Sequence, residues 1–339
     1  MWSPDNYFKK FYERVTPSES FGASSQEEWS DWNGRLKRRF VELLGGFPTK
    51  NSELFPVLLE SEVCDTYIRQ RIQIQTYPNL YMPVYVLIPK KRKERMGAVI
   101  ACHGHGYGSK DIVGLTKDGE EKTGETGYQK NFAVELVRRG YVVVAPELLG
   151  FGDRKIVDES RESDSCKRLS TFLLAMGQTM AGYRVYETLR CVDYLLTRDD
   201  VDADRIGCMG ISGGGLVCSF AAAVDDRISA AVVSGYANTF QASILSIHHC
   251  IDNYIPGLSL IAEMPDLLGL IAPRPLLIEA GKRDPIFPRH AALEAFEKIQ
   301  SVYQLLEASE NLELDLFDGD HQISGNVAYD WFHRVWGQS

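Results

Sequence analysis

The 339-residue chain has no apolar run approaching the ~20 residues that a bilayer-spanning helix needs. It has seven cysteines, at 64, 102, 166, 191, 208, 218 and 250, and no C-x-x-C pair among them. That spacing argues against a disulfide framework and against a zinc module. Cys102, Cys208 and Cys218 fall in apolar segments, as reduced thiols of a reducing compartment do. Positive charge is in deficit, with 37 Lys and Arg against 46 Asp and Glu. A net charge of −9 argues against a polyanion partner, since nucleic-acid binders present a basic face. The one basic run, Lys90-Lys91-Arg92-Lys93, ends at Glu94 between two strand-like segments and reads as a solvated loop. The first residues, Met-Trp-Ser-Pro-Asp-Asn, lack the basic and apolar regions of a signal peptide. The expectations are therefore a cytoplasmic protein with no nucleic-acid and no membrane partner; homo-oligomerisation is left open.

What is present is an alternation of strand and helix signals. Residues 1–55 read as a helical appendage. Ser25 caps a helix through Glu28, Trp29, Trp32, Leu36, Phe40 and Leu43 follow at three- to four-residue steps, and Gly45-Gly46-Phe47-Pro48 ends it. Residues 56–339 read as one larger domain. A hairpin turns at Tyr77-Pro78-Asn79. Continuous apolar strands then follow at 98–102, 141–145, 205–210, 228–234, 275–280 and 312–317, with helices near 128–139, 169–197, 213–224, 289–307 and 323–336. Buried strands alternating with helices predict an α/β fold, with a mostly parallel sheet of about eight strands covered on both faces. Some forty residues separate the strands at 228–234 and 275–280, too many for a plain crossover. The interval 236–272 reads as a cap, with helices near 239–250 and 258–271.

Gly210-Ile211-Ser212-Gly213-Gly214-Gly215 lies between a strand and a helix, the context of a nucleophile elbow. A serine nucleophile needs a base, and the base an orienting acid. Useful positions in a parallel sheet lie just past the C-terminal strand ends. Of the seven histidines, His321 follows the last strand through Asp318-Gly319-Asp320, whereas His290 and His333 fall in helices. Asp284 follows the strand at 275–280 through Gly281-Lys282-Arg283. The catalytic candidates are thus Ser212, Asp284 and His321. The oxyanion donors expected are the backbone N–H of Gly213 and one from the loop His103-Gly104-His105-Gly106-Tyr107-Gly108, placed at His105 with Gly106 as the alternative. His103 and His105 have no carboxylate or cysteine cluster beside them in sequence, so structural roles are expected and no metal. Tyr107, His248, His249 and Tyr254 are candidates for the substrate pocket. Glu147 and Arg154 are expected to pair and brace their loops.

With His103-Gly104-His105-Gly106, Gly210-Ile211-Ser212-Gly213-Gly214, Pro273-Arg274-Pro275 leading to Asp284, and Asp320-His321, the chain resembles the α/β-hydrolase superfamily over residues 60–339. It is most similar to the branch of dienelactone-hydrolase-like and acetyl-xylan-esterase-like proteins. The resemblance implies a cofactor-free serine hydrolase acting on short acyl esters, acetylated sugars included. It departs from dienelactone hydrolases, which use a cysteine where this chain has Ser212. It also departs from cephalosporin-C-type deacetylases, which carry Gln after the serine, where Gly213 stands, and an Arg-Gly-Gln motif, where Gly150-Phe151-Gly152-Asp153-Arg154 stands. The expected partner is a small-molecule ester. A serine peptidase or amidase is the alternative chemistry, and a ligand-binding protein that has lost the reaction is the alternative class.

Overall fold

The computed structural model describes residues 2–91 and 94–337. In chain order the elements are helices α1 (Asp5–Glu13) and α2 (Gln26–Leu43), strands β1 (Val57–Val63), β2 (Tyr67–Tyr77), β3 (Leu80–Pro89) and β4 (Met96–Cys102), helix α3 (Phe132–Arg138), strand β5 (Val142–Pro146), helices α4 (Cys166–Ala175) and α5 (Met180–Leu196), strand β6 (Val201–Ile211), helix α6 (Gly213–Val224), strand β7 (Ala230–Ser234), helices α7 (Leu258–Ile261) and α8 (Met264–Gly269), strand β8 (Leu276–Gly281), helix α9 (Arg289–Leu305), strand β9 (Leu312–Phe317) and helix α10 (Ala328–Val335).

One sheet runs in the order β1-β2-β3-β5-β4-β6-β7-β8-β9. The first three pairings are antiparallel and all those from β5 to β9 are parallel. The sheet has nine strands where the sequence suggests about eight. The extra one is β1, every residue of which is exposed. An edge strand that buries neither face leaves no alternating apolar pattern to read, and its Glu60 and Glu62 reach Arg71 and Arg69 of β2 instead.

The alternation of β4 shows why the central strands are apolar throughout. Ala98, Ile100 and Cys102 face one core, and Val99 and Ala101 face the other. The first core is closed by α2, α5, α6, α8 and α9; the second by α3 and α10. The Ser25 side chain caps α2 by accepting the Glu28 N–H at 3.2 Å, and Trp32, Leu36 and Phe40 are buried on one stripe. α2 ends against α5, where the Thr179 hydroxyl donates to the Leu44 carbonyl at 2.7 Å.

Three sequence expectations need correction. The single helix over 169–197 is two, because Gly177 takes a left-handed φ of 73° and Thr179 starts a new helix by accepting the Gly182 N–H. The cap is less helical than its apolar spacing suggests. Residues 239–250 are turns, and the later stretch splits into α7 and α8. Glu147 and Arg154 do not form an ion pair. Arg154 makes a bidentate pair with buried Glu187 at 2.6 Å and donates to the backbone carbonyl of Glu147, so it braces the loop through a different acid. No helix among the described residues is long and apolar enough to cross a membrane.

Candidate active site

Ser212 stands between β6 and α6 with φ 57° and ψ −123°. A side-chain-bearing residue holds that conformation only where its surroundings over-determine it. Here the constraint is close packing. A Cβ on Gly214 would overlap the Cys102 carbonyl, and one on Gly210 would overlap the Gly214 carbonyl. The elbow therefore presses directly on the C-terminal end of β4. The Ser212 N–H donates to the Ser234 carbonyl at the end of β7, at 3.0 Å.

The next residue after Ser234 brings in the imidazole. A Cβ on Gly235 would lie 3.0 Å from the His321 ring and 3.6 Å from Asp284 Oδ2. His321 follows β9, and its Nδ1 is 2.7 Å from Asp284 Oδ2. The other Asp284 oxygen accepts the N–H groups of Ile286 and Phe287 at 2.8 and 3.0 Å. A carboxylate oxygen accepts, so Nδ1 donates the proton of this bond and Nε2 is left as the ring's free nitrogen. Nε2 is buried and has no protein hydrogen-bond partner. The ring is held between Tyr128 and Phe287, with centroids at 5.7 and 5.6 Å and planes within 22° and 18°. Asp318 and Asp320, nearer in sequence, pair instead with Arg283.

The loop after β4 lies on the other side of the serine. A Cβ on Gly213 would sit 3.1 Å from the His105 ring, so the two residues expected to supply oxyanion donors are neighbours. Side chains behind the loop fix its path. Gln129 Oε1 accepts the Gly104 N–H at 2.7 Å, and the Tyr128 hydroxyl donates to the His105 carbonyl at 2.6 Å. His103 is fully buried. Its Nδ1 donates to the Gly104 carbonyl at 2.8 Å and its Nε2 accepts the Leu148 N–H at 3.1 Å. Burial pushes its pKa down to about 4. Buried Glu147 accepts both the N–H and the hydroxyl of Ser109 at 2.9 Å, and burial raises its pKa. His103 and Glu147 thus hold the two ends of the loop.

The four expected pocket residues do not converge. Tyr107 lines a cavity of about 840 Å³ together with His105, Gly106, Lys110 and Lys155. His249 is half-buried, with Nε2 3.1 Å from the Ser243 hydroxyl and its ring 5.6 Å from that of Phe287, the same ring that stacks on His321. Burial lowers its pKa. His248 is exposed. Tyr254 belongs to a different, apolar cavity of about 930 Å³ between α1 and the cap, and its hydroxyl donates to the Ile244 carbonyl.

Several contributors escaped the sequence reading. Glu279 is buried in β8, where its carboxylate accepts the Ser234 hydroxyl and the Gly325 N–H, tying the strand beside the serine to the loop carrying His321. Burial raises its pKa. An acid inside the apolar run Pro275–Ala280 is the signal that marks it. A second group forms around His105. Its Nε2 lies 3.4 Å from Asp252 Oδ2, and one ligand atom from each of His105, Cys166, Cys250 and Asp252 lies within 4.8 Å of the others. Arg184 donates to both Asp252 and Cys166. A hydrogen bond from Cys250 and the Arg184 charge hold the Cys166 thiol below its usual range, against burial. Burial disfavours a charged His105, but its contacts with Cys166 and Asp252 outweigh that and raise its pKa. These four residues span 148 positions of sequence, so no spacing motif announces them.

The model of the Abhydrolase family matches residues 5–318. The chain belongs to the Abhydrolase family. The match includes α1 and α2 as well as the sheet, so the N-terminal helices are part of what the family model covers. YtaP of Bacillus subtilis (strain 168), named only provisionally as a hydrolase, is 30% identical over 278 residues, 79% of this chain and 86% of YtaP. Among solved structures, a protein of Bacteroides fragilis NCTC 9343 provisionally named an acetyl xylan esterase superposes with a TM-score of 0.79 at 18% identity, over 99% of this chain and 90% of that one. A glucuronoyl esterase from Solibacter usitatus superposes with a TM-score of 0.66 at 14% identity, over 96% of this chain and 98% of that one. At such identities the two structures share the fold.

Proposed function

We propose that this Abhydrolase-family chain is a serine esterase that cleaves small carboxylic esters, short-chain acyl or carbohydrate-linked, through an acyl-enzyme. The observation that carries the reading is His321. Its Nδ1 is tied to Asp284, its Nε2 is unpartnered, and its ring packs on Gly235, the residue after the one whose carbonyl accepts the N–H of Ser212, itself held at a positive φ. In the proposed reaction Nε2 takes the Ser212 hydroxyl proton as the oxygen attacks the ester carbonyl. Asp284, oriented by two backbone N–H groups, stabilises the imidazolium. The Gly213 N–H, which starts α6 and has no intrahelical partner, and the His105 N–H receive the oxyanion. His321 then returns the proton to the leaving alcohol. Water, deprotonated by the same nitrogen, releases the acid. The names of the Bacteroides and Solibacter neighbours support an ester of a carbohydrate. So do the polar side chains Tyr107, Lys110, Lys155 and Asp164 in the lining of the cavity beside His105.

The test is hydrolysis of p-nitrophenyl acetate, butyrate and octanoate, an acetylated xylose and an aminoacyl p-nitroanilide, by wild type and Ser212→Ala. The expected result is turnover of acetate and acetyl-xylose that falls by about 10⁴-fold or more in the variant, with unchanged circular dichroism. Full activity in Ser212→Ala sinks the triad, and turnover of the anilide alone moves the reading to a peptidase or amidase.

A further inference from the structure

We propose that His105, Cys166, Cys250 and Asp252 form a binding site for one divalent metal ion of the zinc class, set against the oxyanion loop. The four come from three separate parts of the chain: the loop after β4, the first residue of α4, and the cap segment 250–252. One ligand atom of each lies within 4.8 Å of all the others. Ligands around a tetrahedral zinc, with bonds of about 2.0–2.3 Å, are about 3.3–3.8 Å apart, so side-chain rotations on the order of 1 Å close the set. His105 Nε2 and Asp252 Oδ2 are already 3.4 Å apart. That nitrogen is buried and hydrogen-bonds to nothing in the protein. It is the polar atom that an ion at this position would satisfy.

Donor chemistry selects the ion. Two sulfurs and an imidazole suit zinc and its borderline-soft neighbours, whereas magnesium and calcium require oxygen. Four protein ligands leave no open position, as in structural zinc sites, so the ion is a clamp and supplies no water to the reaction. Charge is balanced as well. Two thiolates and one carboxylate give −3, a divalent ion +2, and Arg184 +1. Arg184 is the outer partner of two ligands, with Nη2 3.1 Å from Cys166 Sγ and Nη1 on Asp252, and is itself anchored on the Leu149 carbonyl by Nε and Nη2 at 3.0 and 2.7 Å. Asn253 Nδ2 donates to the remaining Asp252 oxygen at 2.8 Å. Outer partners of this kind orient ligands before the ion arrives. Bound there, the ion ties α4, the cap and His105 together and fixes the residue proposed as the second oxyanion donor.

The test uses the full chain, stripped with chelator and kept reduced by a phosphine, titrated with cobalt(II) chloride. Expected are a near-ultraviolet thiolate-to-cobalt band and the visible bands of a tetrahedral site, both saturating at one equivalent and both abolished by zinc chloride. Cys250→Ser, at a partly exposed position, and Cys166→Ser should each weaken cobalt binding by about 10-fold or more, while Ser212→Ala binds as wild type does. The proposal is overturned by the absence of a thiolate band, by a band that survives both cysteine substitutions, or by freshly isolated protein in which alkylation and mass spectrometry find Cys166 and Cys250 joined as a disulfide. The readout is metal binding, so a chain that cleaves no ester yet binds cobalt refutes the esterase reading alone.

Discussion

His103 shows how one buried side chain sets both a loop path and a pH limit. Its Nε2 must stay unprotonated to accept the Leu148 N–H, and burial keeps it so until pH falls to about 4, against 6.5 for a free imidazole. Between those values the unfolded chain takes up a proton that the folded chain refuses. Stability therefore falls as the pH drops through that window, by about 3 kcal/mol in all from this one group. His103→Gln removes the titration. The variant should be less stable than wild type at pH 7.5, and the gap should narrow by roughly that amount at pH 4, read from urea midpoints at the two values. A gap that stays constant would show that His103 is not the titrating group. The same residue scale holds the clearest correction to sequence reasoning. Arg154 is expected to pair with Glu147 in its own loop, but charge pairing follows space, and its guanidinium meets Glu187 on α5 instead.

At the scale of elements, the turn from β6 into α6 is the most constrained piece of the molecule. Its glycines are required by backbone atoms of neighbouring segments, which cannot rotate away as a side chain can. Gly214→Ala drives a methyl into the Cys102 carbonyl at the end of β4. The expected cost is about 3 kcal/mol or more, the upper end of core overpacking because the clash is with backbone, and should appear as insoluble expression or a collapsed denaturation midpoint. A variant with wild-type stability would mean that the elbow relaxes more freely than its contacts suggest. The strand–Gly-x-Ser-x-Gly–helix pattern made this element legible in advance, because its requirements are local. The cap was legible only as an interval. Its apolar residues repeat at helical steps, but the stretch 239–250 folds as irregular turns tied to Glu263 through the Phe240 N–H and to the Ile286 carbonyl through the Ser243 hydroxyl, contacts with distant segments that no local window contains.

For the whole molecule, the sheet brings the ends of β4, β6, β7, β8 and β9 into one row, and every triad candidate sits just beyond that row. The N-terminal helices join this architecture unequally. α2 buries Trp32, Leu36 and Phe40 in the main core, and Phe40 meets Phe220 of α6 edge-on at 4.8 Å between centroids. α1 buries none of its residues, and Tyr7, Phe8 and Phe11 remain exposed. Phe40→Ala should cost about 3–5 kcal/mol by opening a cavity behind the helix that starts at Ser212. Chemical denaturation checks this, and a loss below about 1 kcal/mol would mean that α2 is a dispensable attachment.

The sequence by itself determined what depends on short-range order. Apolar period and glycine placement identify the parallel sheet, the elbow, the capped helix α2 and the order Ser212, Asp284, His321, because strand ends of a parallel sheet are where loops gather. Only the tertiary structure decided what depends on distant segments meeting. It chose Asp284 as the partner of His321 in space, sent Tyr254 to a cavity under α1, paired Arg154 with Glu187, and assembled His105, Cys166, Cys250 and Asp252. Contacts between residues a hundred positions apart arise from the packing of whole elements, and a single chain of letters carries no local trace of them.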